Sequence, residues 1–114
     1  MIVPPVDLSR IDGAGGVLWS VSPGGFHMNL VVLEPGGSIG AHRNDALDVL
    51  VVVLAGAGTA TVDDDTVELG PTHALLVPRG ASRSIAAGPS GLRYLTVHSQ
   101  RGPLAIGGRE GDDV

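Results

Sequence analysis

Apolar residues along this chain fall into short blocks separated by glycine and proline, and no block keeps a 3.6-residue period for three turns. Blocks of this length and spacing read as strands. The pattern predicts strands over Val17–Val21, Phe26–Glu34, Ile39–His42, Leu47–Ala55, Gly58–Val62, Thr66–Leu69, His73–Val77, Ser82–Ala86 and Leu92–His98. So many short segments in succession predict an all-β sandwich or barrel. The breaks have explicit chemistry. Pro35-Gly36-Gly37, Ala55-Gly56-Ala57-Gly58, Gly70-Pro71, Pro78-Arg79-Gly80 and Gly88-Pro89-Ser90-Gly91 supply the fixed or positive φ that tight reversals need. The sharpest hairpin runs up Ala60-Thr61-Val62 and back along Thr66-Val67-Glu68, because Asp63-Asp64-Asp65 tolerates left-handed backbone and prefers water. Three adjacent acids suggest calcium, but the spacing and closing glutamate of an EF-hand loop are missing, so a solvated tip is expected.

Composition narrows the picture. The chain has 114 residues, which predicts one domain, with a barrel core over about residues 17–98, an N-terminal arm over 1–16 and a C-terminal tail over 99–114. It contains 18 glycines and 8 prolines, yet hydrophobic residues reach 43%, which argues for many turns around a packed core and against disorder. With one Phe, one Trp and one Tyr, that core is built from Val, Leu, Ile and Ala. All 7 basic residues are arginine and the net charge is −5, without a basic run, so nucleic acid is not an expected partner. The absence of cysteine removes disulfides, thiolate metal sites and cysteine nucleophiles together. The N-terminal MIVPPVDLSR has neither a basic region nor an apolar stretch of the signal-peptide kind, and cytoplasm is the expected compartment. The longest apolar run, Val49–Ala55, falls far short of the roughly 20 residues a membrane helix needs, so no membrane partner is expected.

The candidate chemistry concentrates in PGGSIGAHRNDALDVLVVVLAG, residues 35–56. His42 and Asn44 share strand parity, and Asp48 follows four residues later, so a histidine, an amide and a carboxylate are expected on one side of a sheet. Such an inward polar cluster is unfavourable unless it is paired or binds something. A second stretch, GPTHALLVPRGASR, sets Arg83 three residues after a Pro-x-Gly turn.

These two stretches resemble the cupins, small double-stranded β-helix barrels of the jelly-roll type. The first cupin motif runs Gly, five residues, His-x-His, three or four residues, Glu, about six residues, Gly. Here Gly36, His42, Asn44, Asp48 and Gly56 stand at or near those positions. The second motif, Pro-x-Gly-x-x-His, is met by Pro78 and Gly80, with Arg83 in place of the histidine. The resemblance covers roughly residues 25–98 and implies a jelly-roll barrel. It also implies a metal site, usually three histidines and a glutamate, of which this chain keeps only His42.

Asn44 and Asp48 are hard oxygen donors, better suited to Mg²⁺, Mn²⁺ or Ca²⁺ than to tight Zn²⁺ or Fe²⁺ binding. Arg83 has no lone pair to offer. Its charge about 4 Å from a divalent ion would be unfavourable by roughly 8 kcal/mol at an effective dielectric of 20. No metal is favoured on this reading. If a divalent ion (Mn, Fe, Zn or Mg) binds, His42, Asn44 and Asp48 are its expected ligands, and His27 and His98 would add imidazoles should they converge on it. Without an ion, Arg83 is expected either to pair with Asp48 across the barrel axis or to lie on the surface after its turn.

The remaining polar positions follow strand alternation. His27 and Asn29 share a face of their strand and are expected to line the same cavity as His42, with His98 at the barrel mouth. His73 is expected at the surface, and Trp19 and Tyr94 as core plugs or subunit contacts. The serines show no nucleophile-elbow pattern. Acid–base work by His42 with Asp48 is the catalytic expectation. Three functions stand open. The first is a metal-poor barrel binding a small anionic or carbonyl-bearing molecule through His27, Asn29, His42, Asn44, Arg83 and His98. The second is a small isomerase, cyclase or oxygenase using His42 with or without a metal, and the third is a structural or partner-binding subunit. Positive mean hydropathy, at +0.28, predicts a homodimer.

Overall fold

The computed structural model describes residues 4–13, 15–22 and 25–99, and the described secondary structure is all strand. The strands are β1 (Gly16–Val21), β2 (Phe26–Leu33), β3 (Ser38–Arg43), β4 (Val49–Val62), β5 (Asp65–Leu69), β6 (Ala74–Val77) and β7 (Ser82–Ser99). They form the all-β barrel expected from the pattern, with the jelly-roll arrangement that the resemblance implied. The nine expected segments become seven strands because two pairs fuse: Leu47–Ala55 with Gly58–Val62 into β4, and Ser82–Ala86 with Leu92–His98 into β7. Most of the expected C-terminal tail and the first three residues lie outside the described residues.

All strand pairs are antiparallel, and β4 and β7 pair with each other along nearly their whole length. Around that pair the other strands divide. The C-terminal half of β7 pairs with β2, which pairs with β1, while the first residues of β4 pair with β6. The N-terminal half of β7 pairs with β3, and the far half of β4 with β5. Two sheets therefore face each other, and β4 and β7 pass from one to the other at a shared corner.

Glycine makes the corner. Gly56 and Gly91 have φ of 82° and 79°, where a β-carbon is strained. A β-carbon on Gly56 would also run into the carbonyl oxygen of Gly91, and one on Gly58 into that of Ala86. The ladder register shifts twice here, between Val53 and Ala55 and between Gly56 and Gly58. These irregularities turn the strands, as bulges do.

Side chains facing the inside of the barrel form one core: Val31, Leu33, Val49, Val51, Val53, Leu92 and Tyr94 from the first sheet meet Ala60, Leu69, Ile85 and Ala87 from the second. The run VLVVVLA looks continuous because its outer face is apolar too. In register across that face lie Val21, Met28, Val97, Leu50 and Leu76, then Trp19, Leu30, Leu95, Val52 and Ala74. Leu30 is 0% exposed yet does not belong to the core cluster, whereas Leu76 is 61% exposed. Near the corner Arg93 donates from Nη1 to the Leu8 carbonyl at 2.7 Å and from Nη2 to the Ile11 carbonyl at 3.0 Å, which ties the N-terminal segment to the barrel.

The expected hairpin forms with Val62 opposite Asp65, so Asp65 is a strand residue and the turn is Asp63-Asp64. Asp63 has φ of 52° and its carboxylate accepts from the Ser82 amide at 3.0 Å, a fastening role in place of a free tip.

Gly56→Ala adds both the clash and the φ strain at the corner. The expected loss is on the order of 2–4 kcal/mol, read from urea unfolding, against less than about 1 kcal/mol for the same change at exposed Gly40, whose surroundings are open.

Candidate ligand-binding site

Rows of side chains inside the barrel grow more polar with distance from the glycine corner. On the first sheet Leu33 and Leu92 lie nearest it, then Val31 with Tyr94, Asn29 with Thr96, and His27 with His98. On the second, Ala87 gives way to Ile85 with Ile39 and then to Arg83 with His42. The polar ends of both sheets meet at the open end. There a cavity of about 180 Å³ is lined by Asn29, His42, Arg83, Tyr94 and Thr96, with Val17, Val31, Ile39, Ser84 and Ile85 as the remaining wall.

Two bulges on edge strands aim polar groups into this space. In β3, Ile39 stands opposite Ile85 but His42 stands opposite Arg83, so three residues of β3 span two of β7. Without the extra residue His42 would face outward. In β1 the register shifts between Val17 and Trp19, which turns Trp19 to the outer face and Ser20 to the inner one. Ser20 then donates to Asn29 Oδ1 at 2.6 Å.

Asn29 is the hub of a polar chain running from the rim to the cavity. Ser22 Oγ contacts His27 Nδ1 at 2.5 Å, His27 Nε2 contacts Asn29 Oδ1 at 3.1 Å, and Asn29 Nδ2 donates to Thr96 Oγ1 at 3.2 Å. His27 and His98 stack in register with ring centroids 5.1 Å apart, and His98 Nδ1 donates to the Ser99 carbonyl at 2.8 Å. The expectation that His27 and Asn29 share a face holds, but Asn29 lines the cavity while His27 supports it from the rim.

Arg83 has the unusual environment. It is half-buried, and its Nη1 has no hydrogen-bond partner although it is shielded from solvent. Burial lowers the guanidinium's pKa, with the neighbouring Tyr94 acting in the opposite sense, but an arginine remains charged. Burial likewise pushes the Tyr94 phenol up to about 12, against the opposing effect of Arg83. Tyr94, 1% exposed, is therefore a neutral hydroxyl beside an incompletely paired cation.

Asn44 and Asp48 are not brought to this cavity. β3 ends at Arg43, and the Asn44 carbonyl oxygen Oδ1 accepts from the amides of Ala46 and Leu47, each at 3.0 Å, closing a turn of its own. Val49 points into the core at 2% exposure, so its neighbour Asp48 takes the opposite side. Asp48 accepts from the Arg79 backbone amide at 2.8 Å and pairs with the Arg79 guanidinium at 3.3 Å. Those bonds, the backbone one first, hold its pKa below the ordinary carboxylate value. The expected Asp48–Arg83 pair is thus replaced by an exposed Asp48–Arg79 pair. The Gly80 amide also bonds to the Asn44 carbonyl at 2.8 Å, so the two motif turns are laced together. His73, at the surface as expected, accepts from the Gly70 amide through Nδ1 at 3.0 Å.

A family-type metal does not fit these side chains. The oxygen atoms at the motif positions are engaged by backbone amides and Arg79, and the remaining His42 faces a guanidinium. Among the described residues no group of three or more His, Asp or Glu is placed to hold an ion. A more open groove of about 310 Å³ at the glycine corner is lined by the end of β2 and the bends of β4 and β7 together with Glu34 and Pro35, and its one arginine, Arg93, is already engaged.

Tyr94, expected as a core plug, is buried in the core and also lines this cavity, and Thr96, which the sequence reading did not single out, lines it on the same strand face. Ser20 was hidden by the bulge.

A model of the cupin domain family matches residues 29–98, well over half of the chain, and the protein belongs to that family. Solved structures agree on the fold. The cupin domain of Cnp3 from Schizosaccharomyces pombe superposes with a TM-score of 0.72 at 20% identity, covering 83% of this chain and 68% of that one. The TT1209 protein of Thermus thermophilus gives 0.73 at 22% identity, covering 83% and 95%. A cupin superfamily protein of Desulfitobacterium hafniense gives 0.69 at 22%, covering 87% and 92%. Among curated proteins none matches the chain.

Tyr94 is the single tyrosine of the chain, so ultraviolet absorbance reports its ionisation directly. The expected midpoint is about 12, above the ordinary 10.0. Because the folded value is the higher one, this group's contribution to stability is complete below pH 10 and is lost as pH rises through 12. Titration at the ordinary value in the folded protein would contradict the buried placement.

Proposed function

We propose that this cupin domain binds a small organic anion in its barrel, anchored by Arg83 and without a family-type metal. The observation that carries this reading is the Arg83 guanidinium, which lines the cavity and has a buried Nη1 with no partner. A buried donor left unmade is unfavourable by about 1–3 kcal/mol, more when charged, and a carboxylate oxygen in the cavity removes that penalty. The volume of about 180 Å³ lies below the roughly 300 Å³ at which ordinary ligand pockets begin, so the ligand has few heavy atoms. His42 stands opposite Arg83 at the mouth and lines the same cavity. A barrel serving only as a structural subunit would be filled with apolar side chains, which fits this polar end less well.

Short carboxylates such as propionate are expected to raise the melting temperature of the wild-type protein and to leave Arg83→Met unmoved. The affinity difference by calorimetry is expected to be about 10- to 100-fold, the range of a charged hydrogen bond. Stoichiometric transition metal in the purified protein, lost on His42→Ala, would overturn the metal-free reading.

We further propose that a second copy of this chain covers the outer face of the first sheet. Two full rows across it carry no charge, and Leu50 and Leu76 are substantially exposed. With a net charge of −5, two copies meeting here bring apolar rows together and keep their acidic hairpins apart. Light scattering is expected to give a dimer for the wild type and a folded monomer for Leu76→Glu. A monomeric wild type would sink the idea.

A further inference from the structure

The polar chain around Asn29 fixes which way the cavity wall is polarised. The 2.6 Å contact between Ser20 Oγ and the Asn29 amide fits O–H···O and is too short for an ordinary N–H···O bond, while the 3.2 Å contact to Thr96 fits an amide N–H donor. Oδ1 therefore faces Ser20 and His27, and Nδ2 faces Thr96. With Oδ1 as acceptor, a neutral His27 carries its proton on Nε2 and takes the Ser22 hydroxyl proton at Nδ1. Thr96 Oγ1 accepts from Asn29, so its own proton is left to donate. The second Asn29 amide proton is free in the same way, and the neutral Tyr94 hydroxyl and Arg83 Nη1 add two more donors. Of the polar groups on this wall, Asn29 Nδ2 and Arg83 Nη1 can only donate, whereas the hydroxyls of Tyr94, Thr96 and Ser84 and the His42 ring can donate or accept.

We infer that the ligand is a small carboxylate whose second polar group is an acceptor without hydrogen, such as a 2-oxo acid, and that His27 and Ser20 are positioning residues that set this preference by locking the Asn29 amide. The inference deepens the anion-binding reading and rests on it. Arg83 takes the carboxylate, and Asn29 and Thr96 meet the oxo group. A 2-amino acid would set its ammonium beside the Arg83 cation and against the Asn29 N–H, meeting like charge where an oxo group meets a donor.

Calorimetry with propionate, pyruvate, lactate and alanine tests it. Wild-type protein is expected to bind pyruvate about three- to tenfold more tightly than propionate, the range of a neutral hydrogen bond, and to bind alanine more weakly than propionate. In Ser20→Ala/His27→Leu the amide is released. The pyruvate preference is then expected to fall towards one, while propionate binding keeps its affinity and its dependence on Arg83. Restoring a donor with Ser20→Ala/His27→Gln is expected to recover most of the preference, which a merely structural role for His27 would not do. Alanine binding as tightly as pyruvate would overturn the inference, as would Arg83-dependent propionate binding with no preference among the four; the latter leaves the anion site standing. Absence of carboxylate binding, or binding unaffected by Arg83→Met, would overturn the anion reading itself and this inference with it. The wild-type ranking needs no variant, so a variant that fails to fold leaves the test intact.

Discussion

Backbone contact at the glycine corner is the constraint from which the rest of this barrel follows. β4 and β7 remain hydrogen-bonded to each other while both leave one sheet and enter the other, and they do so where Gly56 lies against Gly91 and Gly58 against Ala86. No side chain fits between those segments. Because both strands turn together, their far ends, with Arg83 on one sheet and Thr96 and His98 on the other, meet at the same end of the molecule. The apolar rows are left at the corner, where the walls are closest and water is least able to enter. The polar rows stand where the sandwich opens. A cavity with an apolar floor and a polar mouth is thus a product of topology before any particular polar residue is chosen.

Edge strands then decide which polar groups enter that mouth. A central strand such as β7 is held by ladders on both sides and changes phase only at the corner, but β1 and β3 each have a free edge and can absorb an extra residue within a sheet. One bulge turns Ser20 towards Asn29, and the other turns His42 towards Arg83. The same shifts put Trp19 on the outside of the barrel. The shape of the cavity and the composition of the outer sheet face are therefore coupled through two local irregularities.

The fold was largely legible because strand alternation and glycine punctuation are local signals. The nine predicted segments coincide with the observed strands, and the two fusions occur at glycine pairs where the chain bends without breaking its ladder. Strand parity put His27 and Asn29 on one face, whereas His42 and Arg83 were expected inside only from the family pattern, and His42 reaches the cavity only through the bulge in β3. Asn44 was misplaced because parity holds only while a strand continues, and β3 ends one residue before it. Asp48 was misplaced because the family pattern implied an inward acid, whereas the deeply buried Val49 fixes the phase of β4 and sends its neighbour outward. Bulges, which reverse phase, have no marker in the sequence here beyond a Gly40-Ala41 pair, and that is why Ser20 was not seen.

The buried Nη1 of Arg83 is a donor that the protein's own described groups leave unpaired. Elsewhere the described residues satisfy their shielded side-chain polar atoms, so this one donor is the exception in the protein's packing. Any molecule that satisfies that donor is at once a ligand and a folding partner. At a hundredfold excess over its dissociation constant it would add about 2.7 kcal/mol to a folded state whose whole margin is typically about 5–15 kcal/mol. If the cavity binds the anion proposed above, its occupancy and the persistence of the folded protein are one equilibrium, and the amount of this domain that survives unfolding and degradation rises with the supply of that anion.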